Sequence, residues 1–374
     1  MNAFDALAWP LATLLALRVF ARPATGGWVA FGVTLGLGLL NKWSVLWLGA
    51  GIAAYLLLAR RDLLRTPGPW LAAGIAAALF APHLAWEART GWPTLEFMRN
   101  ARTSKMVALE PLRFLLQQAL ALGPGAAPVW IAGLIAALAR PAWRPLASAY
   151  LVTLAILFAS GSARVEYATL PCAALFAAGA VWWESRGRLA RTAVASLVLV
   201  LAIPVAPFAL PILPVPRFLA YQAALGRKPA TEERHRMGAL PQHYADMFGW
   251  PEMADSVARA ALRLTPGERR TAIVVVDNYG EAGALERFGA GRIPRVACQH
   301  NNWYLWGPPV WDGAAAILVG RDSIEAAGEF GQVEVVGTAG HPLAMPYEQQ
   351  LPILVVRHFH PDLRAAWAKG KHYQ

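Results

Sequence analysis

Cysteine is almost missing from this chain. Its two cysteines, Cys172 in an apolar run and Cys298 in a polar stretch, sit in contexts too different for a bridge to be expected. Neither a disulfide framework nor a thiolate metal site is therefore predicted. Charge is also scarce. Only 15% of the 374 residues are charged and 56% are hydrophobic, against about 25% and about 45–50% in an average soluble domain. With a mean hydropathy of +0.38, a wholly soluble protein is not expected, and a disordered chain is excluded because it would be rich in charge. The sequence has no G-x-G-x-x-G fingerprint, P-loop, zinc-finger spacing, nucleophile elbow or Ser-His-Asp arrangement. Met1 runs straight into apolar sequence, without the basic region of a signal peptide.

Acidic residues are the scarcer sign, 23 against 34 Lys and Arg. Residues 1–216 hold 17 basic and 7 acidic residues, and 217–374 hold 17 and 16, so ten of the eleven excess positive charges lie among apolar segments. That distribution reads as membrane topology rather than as a nucleic-acid footprint. A bilayer core needs about 20 apolar residues as helix. The first half is accordingly read as about eight spans, near 3–17, 26–41, 43–59, 68–86, 114–139, 145–160, 167–183 and 192–213. Four connections carry basic residues: Arg18 and Arg22; Arg60, Arg61 and Arg65; Arg140 and Arg144; Arg186, Arg188 and Arg191. These are placed on the cytoplasmic side.

As one helix, residues 26–59 would rise about 50 Å and overshoot the bilayer. The chain is therefore expected to turn back at Asn41-Lys42, on the outer face with the 87–113 loop, the 161–166 turn and everything after residue 217. Pro124 and Pro128, and likewise Pro204, Pro207 and Pro211, should kink or shorten their helices. The ALGPGAAP stretch should separate an interfacial helix at 111–122 from a shorter spanning piece.

After Arg217 the pattern changes to short apolar runs alternating with polar helical ones. TAIVVVDN, RVACQ, AAAILVG, VEVVGT and PILVVRHF are strand candidates, and GEAGALERFG and DSIEAAGEF are helix candidates. A small layered α/β sheet with some parallel pairing is expected. HYADMFGWPEMADSVARAALRL has helical periodicity and should end at Pro266-Gly267. The domain division is thus 1–216, α-helical and polytopic, and 217–374, soluble α/β.

In so apolar a first half, an ionisable residue near a span is a candidate functional group. Asp5 lies at the outer end of the first span. Lys42 occupies the tight outer turn, where its ammonium could hold a lipid phosphate or merely snorkel from a helix end. His83 and Glu87 are spaced i, i+4 and share a helix face, suited to an acid/base pair or to a polar helix end. Arg99, Arg102 and Lys105 fall three apart in a long loop, as either a phosphate-binding or a solvated basic face. NYGEAGAL places Gly280 and Gly283 between a strand and a helix, where backbone N–H groups could receive an anion. HNNWYLWGPP mixes amides and aromatics, as a sugar-binding or a docking surface would. His358-x-His360 has no further ligands near it in sequence.

The run GLGLLNKWSVLWLGAGIAAYLLLARRDLLRTPGPWLA, followed by FAPHLAWEARTGWPTLEFMRN, resembles the polyprenyl-phosphate-dependent glycosyltransferases of the protein-mannosyltransferase-like type, which have the GT-C fold. NYGEAGAL, HNNWYLWGPP, MPYE and the KHYQ end resemble the outer domain of bacterial members. The resemblance implies transfer of a sugar from a polyprenyl-phosphate donor to an unspecified acceptor on the outer side of the bacterial inner membrane, usually with inversion. The protein would be multi-pass, in contact with membrane lipid and not with nucleic acid, and its C-terminal domain would be extracytoplasmic. Lys42 matches the family's lysine in its short outer turn and takes a donor-phosphate role. Asp5 resembles an acidic position at the outer start of a family span, as catalytic support. His83, Glu87, Arg99, Arg102 and Lys105 match the region lining the donor cleft by location. No cofactor is specified, a divalent metal being left open. Family members begin with further spans and a first outer loop bearing an Asp-Glu pair. The chain is therefore expected to be truncated or wrongly started, and inactive as written unless Asp5 replaces that base. A catalytically inactive membrane scaffold and a lipid-linked glycan transporter are the competing readings, although neither internal repeats nor mid-span charges speak for a transporter.

Overall fold

The computed structural model describes residues 2–108, 110–161, 164–229, 231 and 233–373. The chain divides into two compact units. One comprises Met1–Trp92 and Val107–Leu210, and the other Pro93–Met106 and Pro211–Gln374. The expected boundary after residue 216 thus moves to 210/211, and a piece of the long loop goes with the second unit.

The first unit is helical. α1 (Asn2–Ala21), α2 (Thr25–Asn41), α3 (Val45–Ala59), the short α4 (Arg61–Leu64) and α5 (Pro67–Arg89) run in sequence. α6 (Pro93–Asn100) belongs to the second unit. α7 (Pro111–Ala121), α8 (Ala127–Ala139), α9 (Arg144–Ser160), α10 (Cys172–Glu184), α11 (Arg188–Ala202) and the one-turn α12 (Ala206–Ala209) complete the first. Among the described residues, three helical segments are long and apolar enough to cross a membrane: Ala3–Ala21, Pro67–Arg89 and Pro141–Ser160. α2, α3, α8 and α10 are apolar but shorter. The fifth expected span divides at residues 122–126 into α7 and α8, and the eighth breaks between Ala202 and Ala206. Proline explains both interruptions, since it lacks an N–H and clashes with the preceding turn.

Glycine lets these helices approach closely. A Cβ on Gly133 of α8 would lie 1.9 Å from the carbonyl oxygen of Leu175 in α10, and one on Gly179 of α10 would lie 1.9 Å from that of Val129. Backbone contact of this kind, through small residues, is how helices associate where lipid supplies no hydrophobic contrast. Many large apolar side chains instead point outward, Leu58, Leu189 and Ile203 among them. The Arg18/Arg22 and Arg60/Arg61/Arg65 connections meet at one end of the bundle, where Arg60 Nη1 donates to the Phe20 carbonyl at 3.1 Å.

The second unit begins with α13 (Val215–Ala224), α14 (Gln242–Ala245), α15 (Trp250–Ala261) and α16 (Pro266–Thr271). Then follow β1 (Ile273–Val276), α17 (Tyr279–Phe288), β2 (Arg295–Cys298), β3 (Ala315–Val319), α18 (Ser323–Ala327), β4 (Phe330–Ala339), β5 (Leu351–Phe359) and α19 (Leu363–Lys369). The sheet order is β2-β1-β3-β5-β4. β1 pairs in parallel with both β2 and β3, whereas β5 pairs antiparallel with β3 and β4. All five strand candidates form strands. Side chains alternate between two cores: Val274, Val276, Ile317 and Val355 pack toward Met253 and Val257 of α15, and Ile273, Ala316, Leu318 and Val356 pack toward Phe330 and Trp367. This two-sided burial explains why the strands read as continuous apolar runs.

One helical expectation is corrected. Residues 243–264 do not form a single helix, because Gly249 sits at φ +95 and separates α14 from α15. Pro266 does not merely end that helix. It is the first residue of α16, where its missing N–H costs nothing.

Pro93–Met106 is tied to its unit by polar contacts. Lys371 Nζ meets Glu96 Oε2 at 2.6 Å, Asn100 Nδ2 donates to the Tyr373 carbonyl at 2.8 Å, and the Arg234 N–H donates to the Lys105 carbonyl at 2.7 Å. These contacts lie too far apart in sequence for any pattern to reveal.

Candidate functional site

The turn between α2 and α3 is the hub of the first unit's polar chemistry. Lys42 is extended, at φ −159, and its N–H closes α2 on the Gly38 carbonyl. Each of the three residues Lys42, Trp43 and Ser44 then makes its own connection. Lys42 Nζ lies 3.7 Å from Asp5 Oδ2. The Ser44 hydroxyl donates to the same oxygen at 2.8 Å. The Trp43 indole N–H donates to His83 Nε2 at 3.0 Å.

Asp5 lies in the first turn of α1 and is fully buried. The positive end of the helix dipole favours a carboxylate there. Its Oδ1, however, meets no hydrogen-bond donor among the described residues. A buried acceptor without a donor carries a desolvation penalty. The Lys42 side chain keeps about a quarter of its surface exposed, whereas the Asp5 side chain keeps none. On its other side the ammonium lies 5.1 Å from the centre of the Tyr167 ring, within range for a cation–π contact. Tyr167 packs edge-on against Trp47.

His83 and Glu87 stand on one face of α5, with His83 Nε2 3.6 Å from Glu87 Oε1. Glu87 is fully buried and His83 partly exposed. An indole can only donate, so the contact with Trp43 gives Nε2 the lone pair and leaves the proton on Nδ1. A protonated His83 would carry hydrogen on Nε2, which suits Glu87 and not Trp43. The two contacts are therefore alternatives. Phe80, Trp43 and Trp86 surround the imidazole at ring-centre distances of 5.1, 5.9 and 5.6 Å, Trp86 being stacked on it.

Four of the expected site residues, Asp5, Lys42, His83 and Glu87, are thus gathered around one turn. Sequence reasoning missed Trp43, Ser44 and Tyr167. A hydroxyl just after Lys42 and an aromatic in the 161–168 region were visible as residues, but nothing local announced their partners.

Arg99, Arg102 and Lys105 fall in the second unit. α6 ends at Asn100, and Ala101–Lys105 forms a π turn closed by Met106 N–H to the Ala101 carbonyl. An i→i+5 turn advances each residue through a smaller angle than an α-helix, so the three-residue spacing does not keep these side chains on one face. Arg99 and Arg102 are exposed, whereas Lys105 Nζ lies 3.8 Å from the buried carboxylate of Glu233.

The anion site expected at NYGEAGAL is filled by the chain itself. Asn278 Oδ1 accepts from the N–H groups of Gly280 and Glu281, and Glu281 Oε2 accepts from those of Asp277 and Asn278. This reciprocal capping box satisfies the donors an outside anion would need. HNNWYLWGPP folds as a 3-10 turn over Asn301–Trp306, with Trp303 against the sheet core and Trp306 exposed.

Residues 1–86 match the sequence model of the dolichyl-phosphate-mannose-protein mannosyltransferase family. The match takes in Asp5, Lys42, Trp43, Ser44 and His83 and ends one residue before Glu87. No curated protein and no solved structure matches the chain.

Proposed function

We propose that this protein is a membrane glycosyltransferase of the protein-mannosyltransferase-like type, which moves a sugar from a polyprenyl-phosphate donor to an acceptor hydroxyl on the outer side of the bacterial inner membrane. One observation carries the reading. A partly exposed lysine side chain holds its ammonium against a buried carboxylate at a helix turn, inside the segment matched by the mannosyltransferase family.

In the reaction the acceptor oxygen bonds to the anomeric carbon, the bond from that carbon to the carrier phosphate breaks, and the hydroxyl proton passes to the departing phosphate. Negative charge grows on the phosphate as it leaves, so a fixed cation there stabilises the transition state more than the ground state. Lys42 supplies that cation. Asp5, fully buried, acts as the positioning residue that holds the ammonium, with Ser44 fixing the carboxylate. His83 offers Nδ1–H to a sugar or phosphate oxygen while the Trp43 indole orients the ring through Nε2, and Glu87 is the alternative partner of Nε2. The Trp43, Phe80 and Trp86 rings give an apolar wall suited to a sugar face or the first prenyl unit. Arg99 and Arg102, exposed in the second unit, with Lys105 beside Glu233, are proposed as an anion-attracting surface of that unit, which this reading places outside the cytoplasm.

The test is sugar transfer by membranes expressing the chain, with a panel of undecaprenyl-phosphate sugars and with Lys42→Ala and Asp5→Asn beside the parent. Transfer by the parent, with a loss at limiting donor in Lys42→Ala, supports the reading. No transfer from any donor, or full turnover in Lys42→Ala at limiting donor, overturns it.

A further inference from the structure

The second unit holds a buried carboxyl pair that the proposed transfer does not use. Glu281, in the first turn of α17, and Glu348, in the turn Pro346–Glu348, are both more than nine-tenths buried. Glu281 is anchored by the Asp277 and Asn278 N–H groups on Oε2, and Glu348 Oε1 accepts from Asn278 Nδ2 at 2.9 Å. Glu348 Oε2 meets no hydrogen-bond donor among the described residues. Burial, and for Glu281 the facing Glu348 charge, push both carboxyl groups above the ordinary carboxylate range.

The position in the sheet gives the pair its meaning. β1 lies between β2 and β3, both parallel to it, so the chain leaves β1 toward one neighbour and later returns on its other side. In open α/β sheets ligands enter at such a switch point, outside the carboxyl ends of the strands. Here that place is closed by the connection from β4 to β5, which reaches Asn278 through Glu348. Gly340, at φ +134, lets the connection double back, since a Cβ there would lie 2.7 Å from the Glu348 carbonyl oxygen.

We infer that Glu281 and Glu348 form a proton-held latch: one shared proton keeps the 345–350 turn closed over the carboxyl end of β1, and its loss releases the turn. Both carboxyl groups are buried and both hydrogen-bond Asn278, and two buried carboxylates held on one residue cannot both be ionised cheaply. The charged and titratable groups facing the pair reinforce this. Asp277 at the end of β1 and Asp246 after α14 add negative charge, burial raises the Cys298 thiol at the end of β2, and Tyr347, beside Glu348, keeps about half its surface exposed. His235, His243 and Lys105 face Asp246 and oppose the rise that burial causes there. The His300 and Tyr279 rings meet at a tilt, 4.9 Å between centres, at the start of α17. For an acid whose folded pKa is raised, the folded state holds the extra proton. Stability from the pair is therefore complete below the ordinary carboxylate value of 4.5 and falls as pH rises toward the raised folded value.

Hydrogen exchange of the full chain in lipid nanodiscs, corrected for intrinsic rates, tests the latch between about pH 5 and about pH 9. Residues 278–282 and 346–350 should lose protection together as pH rises, by up to about tenfold per pH unit for one proton. Glu348→Gln, neutral at every pH, should keep both segments protected at the alkaline end. Unchanged protection in the parent, or the same alkaline loss in Glu348→Gln, overturns the latch. If Glu348→Gln does not fold, the parent alone decides by infrared spectroscopy. A carboxylic-acid carbonyl band that disappears over the pH range in which both segments open supports the latch, and its absence at neutral pH overturns it.

Discussion

Replacing Lys42 by Met removes the cation from a carboxylate that has no surface of its own. At 3.7 Å and an effective dielectric constant of about 20, the pair attraction is about 4.5 kcal/mol. Loss of one partner from a buried pair costs about 3–5 kcal/mol, chiefly because the remaining charge is stranded. Lys42→Met alone should therefore destabilise the first unit by several kcal/mol. Asp5→Asn alone should cost less, because the Ser44 hydroxyl can still donate to the amide oxygen, and Lys42, whose side chain is partly exposed, can turn its ammonium to water. The double variant should be more stable than Lys42→Met, with a coupling energy of about 2–4 kcal/mol. Unfolding of the four proteins in mixed micelles, followed by tryptophan fluorescence, measures the cycle. A coupling near zero would mean that Lys42 and Asp5 do not share a charge pair, and the assignment of Asp5 as the residue that positions Lys42 would fall with it.

Trp43→Phe keeps the ring against Phe80 and His83 but removes the indole donor, and should cost about 1 kcal/mol, whereas Trp43→Ala should cost about 3–5 kcal/mol; thermal unfolding separates the two. Gly133→Ala would drive a methyl group into the Leu175 carbonyl, and should destabilise the α8–α10 contact by about 1–3 kcal/mol or more, read as a lower melting temperature in detergent. In the second unit, Arg357 and the capping box with Thr265 hold the Glu268 carboxyl down to about 2 from 4.5. That stabilisation is present above the unfolded value and is lost as pH falls toward about 2. Glu268→Gln should therefore cost about 1–2 kcal/mol at neutral pH, allowing for partial exposure, and almost nothing near pH 2. An equal loss at both pH values would refute the ion pair as the cause.

Periodicity and composition determined where most helices and strands form, because burial acts on every residue of an element and leaves a repeating trace. The turn at Asn41-Lys42 was legible because an uninterrupted helix would have been too long, and the break between α7 and α8 because proline acts locally. The five strands were legible from β-branched runs, as was some parallel pairing. Local signals went astray at Gly249, whose left-handed conformation interrupts a helical period without disturbing it, and in the π turn at 101–105, which abolished the expected alignment of Arg99, Arg102 and Lys105.

The amino-acid order alone also singled out Asp5, Lys42, His83 and Glu87, since ionisable groups in so apolar a segment are conspicuous. Only tertiary structure decided that Ser44 and Lys42 meet on one oxygen of Asp5, that Trp43 selects the His83 tautomer, and that Asn278 reaches Glu348 inside the second unit. Those pairings join residues about 40 to 70 positions apart. Side-chain contact at such separations depends on how elements pack, and packing energy belongs to no single stretch of chain.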